Sequence, residues 1–462
     1  MRKHMNNIIG CIVTLCLTII ILGKITDMVE RKDSDEKYAD FFEQDADFDV
    51  LFMGTSHVMN GVYPMELWNE YGIVSYNFGG HANQMATTYW VMENALDYTT
   101  PEVVVIDCLA CSGQWKCTDI FSYVHQSMDA FPLSTTKIKA VNDLLDDENM
   151  DEAIKEGVAR ENSEPRTKIG LLWNYSVYHS RWNELGHQDF EPNRNIEKGA
   201  ESTIAVTPGT LERISPSLKV EGDFVGEEYL RKIIEDCQKR DIEVLLVYLP
   251  YPAGEWDQRE SNYVYDIAEE YGVDYINFLD MDVINYQTDL YDVASHLNPS
   301  GARKVTSYLG AYLAEEYGVK DQRMNEEYES WNGDYSAYVA FKNQNIQTQK
   351  ELMPYFMLLS GDNLDITITI GNTDIFYNKC IMNLLQNLGV DITQLNEETE
   401  AIIVHNGGEQ AEVINTSAEV SNYDGNGLRI EVMRNGEVVD NVEFIYHVDP
   451  ATADIAIDAV NR

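Results

Sequence analysis

Five short runs dominated by Val, Ile, Leu and aromatic residues recur between positions 48 and 318, and they constrain the fold more than any other feature: DVLFMG, IVSYNFGG, EVVVIDC, IEVLLVYLP and VDYINF. Each is nearly continuous in apolar residues, the pattern of a strand buried on both faces. Between them lie stretches of helical period, YPMELWNEYG, TTYWVMENALDY, EEYLRKIIEDCQKR and YVYDIAEEYG. Strands interleaved with amphipathic helices predict an α/β unit, a parallel sheet covered by helices on both faces. Such sheets gather their ligands at the carboxyl ends of the strands.

An uncharged run, Ile8 to Gly23, precedes this unit, with Arg2 and Lys3 before it and Lys24 after. Its length is marginally sufficient for a bilayer. A removed signal peptide requires a small-residue cleavage site, and KITDMVERKD contains no A-x-A pattern. The expectation is an uncleaved single-pass anchor over residues 1–34 of a cell-membrane protein. Its basic N-terminus would be cytoplasmic and everything after about residue 30 extracytoplasmic. Lys and Arg number 33 against 78 Asp and Glu, a net charge of −45. That balance repels phosphate backbones, so no nucleic-acid partner is expected. Cys108, Cys111, Cys117, Cys237 and Cys380 form no disulfide framework, although the first three are close enough for one local bridge. CLACSGQWKC lacks a second C-x-x-C or a paired histidine, so neither metal nor cofactor is expected.

Between the third and fourth strands the pattern breaks, from about residue 118 to 222. So long an excursion reads as a lid or inserted subdomain. Its acidic half, NDLLDDENMDEAIKEG, reads as solvated decoration. Trp173, Tyr175, Tyr178, His179, Arg181 and Trp182 in its aromatic half either stack on sugar rings or pack the insertion down. Past Gly318 a polar, aromatic-studded bridge leads to short β runs around a helix-like FYNKCIMNLLQNLG, with turn signals HNGG, YDGNG and RNGE. This predicts a smaller C-terminal α+β domain over 321–462.

Two stretches carry candidate chemistry. FMGTSHVMNG ends the first strand with Ser56 on a glycine-hinged corner, and DVASHLNPSG places His296 before a helix start, with Asp292 ahead of it. A serine becomes a useful nucleophile when a histidine takes its proton and a carboxylate orients that histidine. Each residue also has a plain structural explanation: Ser56 as a helix cap, His57 as loop filling, Asp292 and Asn298 as turn residues. Their joint order at a strand end and a helix start favours a catalytic site.

GTSH at 54–57, NFGGHANQ at 77–84 and DVASHLN at 292–298 together resemble the three blocks of the SGNH/GDSL hydrolase superfamily. The similarity is to its membrane-anchored, extracytoplasmic branch, related to proteins of teichoic-acid D-alanylation and of alginate and other exopolysaccharide O-acetylation. The resemblance covers roughly residues 45–318 and implies a three-layer hydrolase-like domain over 35–320, carrying the insertion at about 118–222. It implies Ser56 as nucleophile, His296 as base and Asp292 as the orienting acid. It also implies an oxyanion hole from the N–H of Ser56, a glycine (Gly79 or Gly80) and an amide side chain (Asn83 or Gln84), of which Gly80 and Asn83 are chosen. One departure stands out: Asp292 lies four residues before His296, whereas the family pattern puts it three before, the place of Val293. The reaction so implied is ester hydrolysis or O-acyl transfer on a cell-wall or secreted polysaccharide, beside a membrane-bound acyltransferase. The alternative is a surface scaffold or carbohydrate-binding protein whose serine site has decayed.

Overall fold

A computed structural model describes residues 2–30, 32–44, 46–155, 166–190, 194–292, 296–408, 410–415, 427–448 and 455–461. Val293 and most of the YDGNG turn signal lie outside the described residues. The apolar N-terminal run forms the middle of helix α1 (Arg2–Val29). Residues 7–21 of α1 are exposed throughout, and the helix is long and apolar enough to cross a membrane. Helix α2 (Lys32–Glu43) follows and buries Tyr38 and Phe41 in the main core.

The expected runs become β1 (Val50–Gly54), β2 (Ser75–Gly79), β3 (Val103–Asp107), β4 (Glu243–Tyr248) and β5 (Asp274–Asn277). They form one parallel sheet in the order β2-β1-β3-β4-β5. Alternate residues of β1 enter opposite cores: Leu51 and Met53 pack on one face, Val50 and Phe52 on the other. Both faces are apolar because both are covered. Helices α3 (Ser56–Gly61) and α4 (Pro64–Tyr71) follow β1, and α5 (Met85–Ala95) follows β2.

The insertion carries α6 (Phe121–Met128), α7 (Thr135–Leu144), α8 (Glu148–Lys155), α9 (Lys168–Leu172) and α10 (Tyr175–Tyr178), then two 3-10 turns, His179–Asn183 and His187–Phe190. Its acidic half is packed only in part, with Asp146, Glu148, Asp151 and Glu152 exposed. Asp143 accepts bonds from Trp90, Lys116 and Tyr229, and Met150 is buried. The aromatic half divides: Tyr178 is buried and donates to Asp129 at 2.9 Å, whereas Trp173 and Trp182 remain exposed.

Helices α11 (Val225–Lys239) and α12 (Glu255–Tyr271) join α5 on one face, and α13 (Pro299–Glu316) joins α3 and α4 on the other. The bridge after Gly318 turns out to be mostly helix, α14 (Glu329–Thr348). Tyr328, Trp331, Tyr335 and Tyr338 recur at helical spacing, and Trp331 and Tyr338 are buried. Then come α15 (Leu352–Leu359), β6 (Asp365–Ile370), α16 (Lys379–Asn387), β7 (Thr399–His405), β8 (Gln410–Asn415), β9 (Gly427–Arg434), β10 (Glu437–Val448) and β11 (Ile455–Asn461). Their antiparallel sheet has the order β11-β10-β9-β6-β7-β8 and a core of its own. The chain is thus mixed α/β, with a parallel sheet and a separate antiparallel one. A buried ion cluster links the two: Lys342 bridges Glu66 of α4 and Asp362 at 2.9 Å each, and Arg434 of β9 also binds Asp362.

Candidate active site

Gly54 ends β1 where no side chain fits. A Cβ there would lie 2.7 Å from Val58 Cγ2 and 2.9 Å from Asp107 Cβ. Thr55 then caps α3, its Oγ1 accepting from the His57 N–H at 3.1 Å. Thr55, not Ser56, caps this helix, which leaves the Ser56 hydroxyl available. As the first residue of α3, Ser56 has no intrahelical acceptor for its own N–H. Asn77 of β2 holds the other end of α3, donating to Val58 O at 2.7 Å and Val62 O at 2.8 Å. Beneath the corner, burial pushes the Asp107 carboxyl up to about 7.

His296 arrives on the loop before α13. Asn298 caps that helix by accepting from the Ser300 and Gly301 N–H groups, while its amide donates to Thr288 O, Leu290 O and Ala205 O. An antiparallel bridge pairs Leu290 with Leu297. Asp289, fully buried, accepts from Lys304 at 2.7 Å and from Asn387 of α16 at 3.1 Å, so the second unit braces this loop.

The loop delivers His296 Nε2 to within 2.8 Å of Ser56 Oγ, across 240 positions of chain. Asp292 closes the arrangement: Oδ2 lies 2.7 Å from His296 Nδ1, and Oδ1 accepts the His296 backbone N–H at 3.0 Å. The four-residue spacing therefore still brings carboxylate and imidazole together, because the side chain folds back on both the backbone and the ring of His296. A carboxylate at Nδ1 holds the proton there and leaves Nε2 free to accept from the serine. Comparison with protein-family models, curated proteins and solved structures finds no match.

Around the pair, Tyr291 stacks on the His296 ring at 5.1 Å and 7°. His57 meets the same ring edge-on at 5.3 Å and Tyr251 at 4.5 Å. Burial, and then the neighbouring His296, push the His57 pKa from 6.5 down to about 3, so His57 is a neutral wall of the site. Gly80 and Asn83 sit at the same corner. The Gly80 N–H and the Asn83 amide both donate to Gly54 O, at 3.2 and 3.3 Å, and Ser127 donates to Asn83 Oδ1 at 2.8 Å.

The end of the insertion runs past the site as a strap. Glu201 N–H donates to Met59 O of α3, and Thr207 N–H to Leu290 O of the histidine loop. Beside it opens a cleft of about 300 Å³ lined by Lys37, Met59, Gln126, Glu197 and Glu201. Lys37, buried, donates to Gly79 O, and desolvation lowers its pKa to about 7. Burial raises Glu197 to about 7 as well. Thr55, Tyr251, Tyr291, Lys37 and Glu201 were not singled out from sequence; only Thr55, inside GTSH, carried a signal. The cysteines are all unpaired thiols, Cys108, Cys111 and Cys117 being buried in the main core. Among the described residues no three metal-ligating side chains converge.

Proposed function

We propose that this chain is an SGNH/GDSL-type serine esterase or O-acyltransferase. In this reading α1 holds it to the cell membrane, and its N-terminus is cytoplasmic. The observation that carries the reading is the hydrogen-bonded series Ser56 Oγ, His296 Nε2, His296 Nδ1, Asp292 Oδ2 at the carboxyl end of a parallel sheet.

Ser56 Oγ attacks the carbonyl carbon of an ester while His296 Nε2 takes its proton. Asp292 stabilises the imidazolium. The oxyanion meets the Ser56 N–H, with the Gly80 N–H and the Asn83 amide turning from Gly54 O to join it. His296 returns the proton to the departing alkoxide, leaving an acyl-serine and the free alcohol. An incoming hydroxyl then loses its proton to His296, attacks the acyl carbon and restores Ser56. Water as that hydroxyl makes an esterase; a sugar hydroxyl makes a transferase. The outward-facing topology favours a polysaccharide of the envelope as acceptor or substrate, with a membrane-bound acyltransferase supplying small acyl groups.

One observation favours a second reading, a surface scaffold or carbohydrate-binding protein without acyl chemistry: two of the three oxyanion donors are engaged by Gly54 O. Hydrolysis of p-nitrophenyl acetate by the purified full chain separates the two. Turnover that vanishes in Ser56→Ala supports the enzyme, and equal rates in both proteins support the scaffold.

A further inference from the structure

We infer that the insertion is a collar that rests on the lipid surface around the exit of α1, fixing the height and tilt of the candidate active site above the membrane. This rests on reading α1 as a membrane span. The apolar run ends at Gly23, and the seven residues from there to Glu30 rise about 10 Å along the helix. The headgroup zone on one side of a bilayer is about 5–8 Å deep. Whatever grips Val29 and Glu30 therefore abuts that zone. The insertion does so: the Arg181 guanidinium donates to Val29 O at 3.0 Å and to Glu30 O, Asp189 holds the same guanidinium at 3.0 Å, and Asn174 donates to Glu30 Oε2 at 3.3 Å. Helix α1 is exposed up to Ile21 and buries Val29, so its burial begins where the apolar run ends.

The gripping elements carry large apolar side chains that stay largely exposed, Trp173 resting only partly on Tyr175 at 5.6 Å. Trp182 and Phe190 are each 66% exposed, next to Arg181 and Asp189 respectively. Trp173 on the turn before α10 is 44% exposed, and Ile169 on α9 is 66% exposed. Helix α10 and both 3-10 turns touch α1, and α9 touches α10. Exposed apolar groups of this size concentrated beside one helix end mark an interaction surface. Tryptophans at headgroup depth, amphipathic and flat, are the side chains membrane interfaces favour. The net charge of −45 removes attraction to anionic lipid as the cause, so the contact is apolar and independent of lipid charge. Lipid is preferred over a glycan or a second copy because the patch is continuous with the end of the spanning helix.

The test uses the full chain reconstituted in phosphatidylcholine vesicles containing lipid brominated high on the acyl chain. The native chain is expected to float with the vesicles and to show quenched tryptophan emission. The Trp173→Phe/Trp182→Phe double variant should float equally and lose most of that quenching, while Trp256→Phe, which removes an exposed tryptophan on α12, should keep it. A floating double variant quenched as strongly as the native chain overturns the collar and leaves the span intact. A glycan or a second copy covering these rings would likewise leave them unquenched in the native chain. Failure of the native chain to float removes the span, and the collar with it.

Discussion

Replacing Asp292 by Asn probes the account where its sequence signal is weakest. The carboxylate makes two contacts, 2.7 Å to His296 Nδ1 and 3.0 Å to the His296 backbone N–H. An amide of the same shape keeps the second through its oxygen but presents an N–H₂ group to Nδ1. The imidazole then carries its proton on Nε2 and cannot accept from Ser56. A wrong tautomer in a sequestered Ser-His-Asp site costs on the order of 10⁴-fold. Here the Asp292 side chain is 34% exposed and that of His296 18%, so water can partly replace the carboxylate. The expected loss is therefore about 10²- to 10⁴-fold, or about 3 to 5 kcal/mol at 1.36 kcal/mol per tenfold. The assay is the rate of p-nitrophenyl acetate hydrolysis, with the Asp292→Asn/His296→Ala double variant expected to be no slower than His296→Ala alone, because the residues act as a unit. An Asp292→Asn protein with undiminished turnover would refute the assignment of this carboxylate.

Three further outcomes follow from the packing. Gly79→Ala puts a Cβ 2.3 Å from Met59 N and 2.6 Å from Thr55 O, so backbone must move; a loss of about 1–3 kcal/mol by urea unfolding, together with slowed turnover, is expected. Lys342→Met strips the shared cation from buried Glu66 and Asp362; removing one partner of such a cluster costs about 3–5 kcal/mol, read by thermal unfolding. His57, neutral in the fold down to about 3, binds a proton in the unfolded chain below about 6.5, so its contribution is present above 6.5 and is lost as pH falls towards 3. Each pH unit in that window is worth about 1.4 kcal/mol, so His57→Phe should flatten the native chain's decline between pH 6.5 and 5 by about 2 kcal/mol in urea titrations; parallel slopes would show that another group governs acid sensitivity.

The parallel sheet was legible because burial on both faces leaves near-continuous apolar runs, and β1 to β5 fall where those runs stand. The pairing of Ser56 with His296 was legible because each sits at a punctuated corner, a glycine before one and an Asn-Pro helix start after the other. What escaped notice was set by tertiary contact. Helix α14 reads as a polar bridge because only one flank, through Trp331 and Tyr338, is buried against the first unit. The acidic half of the insertion reads as solvated, which holds for the exposed Asp146, Glu148, Asp151 and Glu152 and fails for Asp143, because that carboxylate finds Trp90, Lys116 and Tyr229 from elsewhere in the chain. Tyr291 and Lys37 carry no local pattern, and their roles exist only once the histidine loop and α2 have docked.

The central claim is that the Ser56 hydroxyl is activated by His296, and covalent trapping tests it most directly. The full chain is incubated with a serine-reactive fluorophosphonate and the adduct is mapped by peptide mass spectrometry. The account predicts one modified residue, Ser56, with labelling abolished in Ser56→Ala and strongly slowed in His296→Ala. An unmodified Ser56 in a folded native chain, or labelling indifferent to His296, would contradict it.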